Sequence, residues 1–221
     1  MDGKPFAFGL LRRRELVVPS WRGALALLLL CAVLIRIFLV SVHPFLAVTE
    51  PAGGEALVVE GWIPDYALRE ALITFRSHPY KVLITTGGPV PQGMAFSYHG
   101  NFARLSASML EQMGLPADSI AEIPSPEVVK DRTYIEGVAL KQWLHSRGTT
   151  WSAIDLFSFS THARRSRLLY AMALGREIRV GIYAPLDLQY DAAHWWRSSA
   201  GVRRVTDEVI AYLYARLLFR Y

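Results

Sequence analysis

The segment around His162 combines side chains suited to proton transfer and to anion binding. Arg165 follows His162 by three residues, so the two side chains share one face of a predicted helix. Thr161 precedes His162, where its hydroxyl can cap that helix. Apolar residues continue the same face, so we expect Arg165 to be partly buried and to need an anion as its partner. That anion is either a phosphate of a ligand or a scaffold carboxylate such as Asp131 or Glu60.

Three other segments carry polar residues or glycines where a predicted strand ends or a helix begins. Glu60 and Gly61 end the first strand, residues 86–88 end the second, and Asp131 opens a helix. In parallel α/β sheets these positions meet at one edge, where ligands bind and helix N-termini present free N–H groups. The predicted catalytic residues are His162 as general acid/base, with Asp131 or Glu60 orienting the imidazole. The predicted ligand-binding residues are Gly61, Thr86, Gly87, Gly88, Arg132, Thr133, Thr161 and Arg165.

The common nucleotide, hydrolase and metal motifs are missing from the sequence. No GK[ST] follows Gly87 and Gly88, and no GxGxxG opens a helix, so a nucleotide-cofactor enzyme is the weakest enzymatic interpretation. A GxSxG elbow and an HExxH motif are also missing. The single cysteine, Cys31, lies in an apolar run and can form no intramolecular disulfide. We therefore predict no metal site and assign no cofactor.

The residues that must be positioned lie in a chain that alternates strand and helix. Such alternation predicts parallel strands with right-handed crossovers, that is, an α/β Rossmann-like three-layer sandwich with a mostly parallel sheet of about five strands. The predicted strands are residues 55–60, 80–86, 119–123, 154–159 and 178–184. One predicted helix begins at Asp65, and four others cover about residues 101–113, 133–146, 161–174 and 201–219.

An apolar run near the N-terminus predicts one transmembrane helix. Residues 23–42 hold a single charge, Arg36, and a helix of that length matches the hydrocarbon thickness of a bilayer. Basic residues precede the run, so the positive-inside rule predicts a cytoplasmic N-terminus and an extracytoplasmic body. The predicted organisation is a basic segment 1–22, an anchor 23–42, a tether 43–54 and a domain 55–221. A cleaved signal peptide is the alternative, but the run is long for one.

The charge distribution argues against a nucleic-acid partner. The chain has 221 residues and a formal charge of +5, yet residues 1–22 alone hold five basic and two acidic side chains. The excess therefore lies beside the apolar run, while the body is nearly balanced. The predicted partners are the lipid bilayer and an anionic ligand, which is a small molecule or a lipid-linked precursor. Protein partners are not assigned.

Four strand-end motifs, in this order, resemble the SanA/ElyC/YdcF-like family of bacterial envelope proteins. The matching stretches are VVEG at Val58–Gly61, TTGG at Thr85–Gly88, DRTYIEG at Asp131–Gly137 and FSTHARRSR at Phe159–Arg167. The resemblance covers essentially the whole body, and many relatives share a single N-terminal anchor. It implies a Rossmann-like fold and a role in cell-envelope maintenance at the bacterial inner membrane, with the body in the periplasm. It does not supply a reaction.

This sequence departs from the family pattern at three positions near the expected pocket. Arg132 stands where asparagine is usual, Glu136 where another polar residue is usual, and Glu60 replaces an apolar residue. The ligand is therefore expected to differ from those of relatives. The leading hypothesis is a hydrolase or transferase acting on phosphoryl or glycosyl precursors of the envelope. The alternative is a non-catalytic binding or scaffolding factor that uses the same pocket, or its Trp195–Trp196 surface, to hold a ligand or partner.

Two further features carry open interpretations. Residues 194–197 (HWWR) could line a lid or a carbohydrate platform, pack against the last helix, or contact a membrane surface. Glu208, on the last helix, is expected to be solvated or salt-bridged.

Overall fold

A five-stranded parallel sheet forms the centre of the molecule. The computed structural model describes residues 5–6, 11–12, 17–91 and 97–220. The strands are β1 (Ala56–Glu60), β2 (Val82–Gly87), β3 (Ile120–Pro124), β4 (Ala153–Phe157) and β5 (Arg179–Tyr183). Every pairing is parallel, and the order across the sheet is β3-β2-β1-β4-β5. The predicted α/β class and sheet are thus confirmed, with strand ends within two residues of those expected.

Six α-helices accompany these strands in the described part of the chain. They are α1 (Trp21–Leu46), α2 (Asp65–Ser77), α3 (Phe102–Gln112), α4 (Arg132–Ser146), α5 (Ala163–Leu174) and α6 (Ser199–Leu217). Helix α5 begins two residues later than predicted, because residues 160–162 form a turn of 3-10 helix. The expected cap by the Thr161 hydroxyl is wrong: His162 is the capping residue, and its side chain makes no capping hydrogen bond.

Two hydrophobic clusters cover the two faces of the sheet. Successive residues of β1 point to opposite faces, so Val58 belongs to one cluster and Val59 to the other. The Val58 side contains Leu140 of α4 and Leu174 of α5, and the Val59 side contains residues of α2 and α3. This arrangement makes three layers. It also determines where a ligand site is expected. The strand order reverses at β1, which lies between β2 and β4, and ligands bind at such a reversal.

The chain divides into two compact units, residues 1–39 and 40–221. In the first unit, Pro5–Phe6 pairs antiparallel with Leu11–Arg12, and α1 begins. Helix α1 is long and apolar enough to cross a membrane, and its leucines are largely exposed. It reaches four residues beyond the predicted anchor of 23–42.

Within the second unit, backbone pairing and a buried carboxylate hold the segment that follows α1 against the sheet. Glu50 exchanges two backbone hydrogen bonds with Ile182 of β5. Asp155, fully buried in β4, accepts hydrogen bonds from the backbone N–H groups of Ala52 at 2.5 Å and Gly54 at 2.9 Å. The predicted tether 43–54 is therefore partly helix and partly an ordered strip beside the sheet.

Candidate functional site

A cavity of about 980 Å³ lies at the carboxyl ends of the strands. It is bordered by the loop after β2, the first turn of α4, the 3-10 turn after β4, and α6. These parts are distant in sequence, but parallel strands bring their following loops to the same edge. Seven predicted site residues line this cavity: Gly88, Asp131, Arg132, Thr133, Thr161, His162 and Arg165.

The other four predicted site residues lie behind the cavity wall. Gly61 and Gly87 both pack against the start of α3: a Cβ on Gly61 would lie 2.4 Å from the Phe102 carbonyl oxygen, and one on Gly87 would lie 2.6 Å from the Phe102 Cβ. The side chains of Glu60 and Thr86 are fully buried. These glycines thus serve the close approach of a helix to the sheet.

The imidazole of His162 is held by a carboxylate that the sequence did not single out as its partner. Nδ1 of His162 lies 2.8 Å from Oε1 of Glu208 on α6. Nη2 of Arg165 lies 2.8 Å from the same Nδ1, and its guanidinium also donates to both carboxylate oxygens of Glu208, at 2.9 Å and 3.1 Å. Nδ1 can donate to Glu208 or accept from Arg165, but not both at once. Glu208 was expected to be solvated or salt-bridged; it forms the ion pair, but it also lines the cavity. Asp131 and Glu60 are not the residues that orient Nδ1.

The ionised form of Glu208 is strongly favoured by its partners. Burial raises the pKa of this carboxyl, but hydrogen bonding and charge from His162 and Arg165 outweigh burial and lower the pKa to about 2. The three side chains are 14–20% exposed, so solvent screens the interaction only weakly. Glu208 therefore stays charged near neutral pH and fixes the imidazole against α6.

Glu60 lies on the other side of the imidazole. Its Oε2 accepts a hydrogen bond from Ser158 at 2.5 Å and its Oε1 accepts one from Ser166 at 2.8 Å. Nε2 of His162 is 3.9 Å from Oε1 of Glu60, beyond direct hydrogen bonding but close enough for charge interaction. His162 is thus placed between two carboxylates, and its ring packs against that of Trp62 in a T-shaped arrangement.

A second buried carboxyl group, that of Glu136, also borders the cavity. Its Oε2 lies 3.3 Å from the Tyr170 hydroxyl and 3.4 Å from the Thr86 hydroxyl. Burial, together with the charge of Glu60, raises the pKa of Glu136 to about 8 despite these hydrogen bonds. Glu136 is therefore mostly protonated near neutral pH.

Helix α4 presents its N-terminus to the cavity. Asp131, the residue before the helix, has a left-handed backbone conformation (φ 60°), and its side chain makes no capping hydrogen bond. The first N–H groups of α4, at Arg132 and Thr133, are therefore left to other partners, and the helix dipole places partial positive charge there.

The cavity also carries charges of both signs. The basic side chains are Lys130, Arg132, Arg165 and Arg204. The carboxyl groups are Glu127, Asp131, Glu136, Asp187 and Glu208, of which Glu136 is mostly protonated. Two of the acidic groups have basic partners, since Glu208 pairs with Arg165 and Asp187 lies 3.6 Å from Arg204. In the described residues, no group of three or more His, Cys, Asp or Glu side chains is placed to hold a metal ion.

Sequence patterns gave little sign of several groups that the fold brings to the site. Glu208 is one of the polar residues along a helix, and Tyr170 reads as a core aromatic residue. Glu136 stood out only as a departure from the family pattern. Trp195 is buried beside the start of α6 and lies outside the cavity lining, as does Trp196.

Comparison with known proteins adds no relative to this description. No protein-family model, curated protein or solved structure matches the chain.

Proposed function

We propose that this chain is a membrane-anchored envelope protein whose cavity binds an anionic, phosphate-bearing ligand, with His162 as the proton-transferring group. One observation carries the proposal. The imidazole of His162 and the uncapped N-terminus of α4 border the same cavity at the switch point of a parallel sheet. A cavity of about 980 Å³ is large enough for a ligand that carries more than one phosphate-sized group.

Each part of the site has a separate role in this proposal. The amides at the start of α4 and the guanidinium of Arg132 bind phosphate oxygens. Gly88 lines the cavity, and a Cβ added there would lie only 3.3 Å from the Ser125 hydroxyl oxygen. Glycine at this position therefore lets the loop backbone lie close to the ligand. Glu208 is a positioning residue, because it holds Nδ1 of the imidazole and leaves Nε2 to exchange a proton with the ligand.

The reaction class that fits these roles is hydrolysis or transfer at a phosphoryl or glycosyl centre. Nε2 of His162 accepts the proton of an attacking water or hydroxyl as that oxygen bonds to the centre, and the proton then passes to the departing oxygen. Positive charge from Arg132 and the α4 dipole stabilises negative charge on the transferred group.

The proposed location is the inner membrane of a bacterium, with the N-terminus in the cytoplasm and the body in the periplasm. The length and composition of α1 and the basic residues of segment 1–22 support this orientation. The resemblance to the SanA/ElyC/YdcF-like family supports an envelope role. The ligand is either a soluble phosphate compound or a lipid-linked precursor.

A non-catalytic binding factor is the second candidate, and the ion pair of Arg165 favours it. The guanidinium of Arg165 is occupied by Glu208 through two hydrogen bonds, so it contributes less to an incoming transition-state charge than a free arginine would. A site of this kind can hold a ligand without transforming it.

The test uses the full chain in detergent micelles with a panel of phosphate compounds: inorganic phosphate, a simple phosphomonoester, a nucleotide sugar and an isoprenyl phosphate. Binding and product formation are measured for the wild type, His162→Ala and Arg132→Ala. The matched controls are His145→Ala and Arg104→Ala, because both residues are exposed and lie outside the cavity lining.

We expect Arg132→Ala to weaken binding about tenfold or more, the loss of roughly one charge-assisted contact. His162→Ala should bind ligand but form product at least a hundredfold more slowly. Equal turnover by His162→Ala and the wild type would remove His162 from the mechanism. If the wild type binds a compound but forms no product, the binding-factor alternative is favoured. If no compound binds, both the enzymatic and the binding function are contradicted.

A further inference from the structure

Two buried carboxyl groups lie under the cavity, and their surroundings differ. Glu60 receives two short hydrogen bonds, at 2.5 Å and 2.8 Å, from serine hydroxyls that approach different oxygens. Among the residues that the structure describes, Glu136 has hydrogen-bonding contacts only at 3.3 Å and 3.4 Å, both to the same oxygen, Oε2. Glu136 is 5% exposed and lines the cavity, whereas Glu60 is fully buried.

The hydroxyl protons around Glu136 are too few to stabilise a buried charge. Thr86 and Tyr170 each carry one hydroxyl proton, and their oxygens are 2.8 Å apart, so one proton is used in the hydrogen bond between them. At most one proton is then left for Oε2 of Glu136. A buried carboxylate needs more compensation than this, and a second carboxylate nearby disfavours a second negative charge. Of the pair, Glu60 is the better supplied with hydrogen-bond donors.

We propose that Glu136 is present as a neutral carboxylic acid at the base of the cavity and donates a hydrogen bond to an oxygen of the bound oxyanion. This inference rests on the proposed function, since it assumes that an oxyanion enters the cavity. Glu136 is then the residue that selects such a ligand. The acid form supplies a proton to a phosphate-type oxygen, while the ionised form would repel it.

Groups on three elements packed against Glu136, and one on its own helix, determine the pKa of Glu136. They are Glu60 of β1, Thr86 of β2, Tyr170 of α5 and, on its own helix, Arg132. Burial raises the pKa of the Tyr170 hydroxyl well above its usual range, so Tyr170 stays neutral throughout the pH range of interest. The titration of Glu136 itself is expected between pH 7 and pH 9.

Sulfate is a suitable probe because its own charge is constant over this range. Its dissociation constant is measured from pH 7 to pH 9 by calorimetry with the full chain in micelles, for the wild type, Glu136→Gln and Glu127→Gln. Glutamine keeps an N–H donor at position 136 but cannot ionise. Glu127 also lines the cavity and is exposed, so Glu127→Gln is the matched control.

For the wild type we expect the dissociation constant to rise about tenfold from pH 7 to pH 9, because the competent acid form becomes a minority above a pKa of about 8. Glu136→Gln should lack that rise, and Glu127→Gln should keep it. A rise of equal size in Glu136→Gln would overturn the inference and leave the anion site itself intact. If sulfate does not bind the wild type at any pH, the proposed function fails instead.

An infrared difference spectrum, wild type minus Glu136→Gln, tests the same inference without ligand. A carboxylic-acid C=O band at pH 7 that is replaced by carboxylate bands above pH 9 is the expected result. Carboxylate bands alone at pH 7 would show that Glu136 is already ionised, and the inference would be wrong.

Discussion

Replacing Glu208 with glutamine removes the charge that holds His162 and Arg165 together. The folded protein lowers the pKa of Glu208 from 4.5 to about 2. Since one pKa unit corresponds to about 1.4 kcal/mol, the ionised carboxylate stabilises the fold by at most about 3.5 kcal/mol at neutral pH. We expect Glu208→Gln to lose a free energy of unfolding close to that limit at pH 7.

The pH dependence of the loss separates this charge effect from a packing defect. A lowered folded pKa contributes stability that is complete above the unfolded pKa of about 4.5 and disappears as the pH falls through about 2. The difference in free energy of unfolding between the wild type and Glu208→Gln should therefore fall from about 3.5 kcal/mol at pH 7 to about 1.4 kcal/mol at pH 3. A packing defect would give a difference that does not change with pH.

The assay is urea unfolding of the full chain in micelles, followed by the fluorescence of the body tryptophans. Glu122→Gln is the matched control, because Glu122 forms an exposed ion pair with Arg104 at 3.5 Å, and such pairs contribute about 0–1 kcal/mol. If Glu208→Gln is as stable as the wild type at pH 7, or if the loss is the same at pH 3, the assignment of an ionised, buried ion pair is refuted.

The remaining predictions concern close packing and the segment after α1, and both are read by the same unfolding assay. Gly61→Ala should destabilise the fold by about 3 kcal/mol or more, since its Cβ would lie 2.4 Å from the Phe102 carbonyl oxygen; a loss below 1 kcal/mol would mean that α3 can move away. Asp155→Ala should cost about 3 kcal/mol and should speed proteolysis within residues 47–54, because the N–H groups of Ala52 and Gly54 lose their acceptor. Protection of that segment in Asp155→Ala would show that its backbone pairing with β5 suffices.

The sequence alone determined the architecture of this protein, because strand and helix signals are local. Runs such as residues 80–86, bounded by glycine or proline, predicted strands, and each alternated with a helical pattern. Alternation implies parallel strands, and parallel strands gather their following loops at one edge. The residues of the His162 and Asp131 segments could therefore be predicted as neighbours from their places at strand ends and helix starts alone.

The partners within the site were decided only by the tertiary structure. Glu208 lies 46 residues from His162, on a helix whose rotation and contact with α5 no local pattern specifies. The glycines show the same limit: Gly61 and Gly88 both follow strand ends, but the close approach of Phe102 places Gly61 in the packing and leaves Gly88 at the cavity.

The surroundings of the two buried glutamates, Glu60 and Glu136, show the same division most clearly. A glutamate in a sequence has one ordinary pKa, and nothing in VVEG or DRTYIEG tells Glu60 from Glu136. The raised pKa of Glu136 arises from its burial and from the charge of Glu60, and packing also decides which hydroxyls reach which carboxyl oxygen. Residue types and order thus fixed the edge of the sheet where chemistry can occur, and three-dimensional packing fixed the charge that each group carries there.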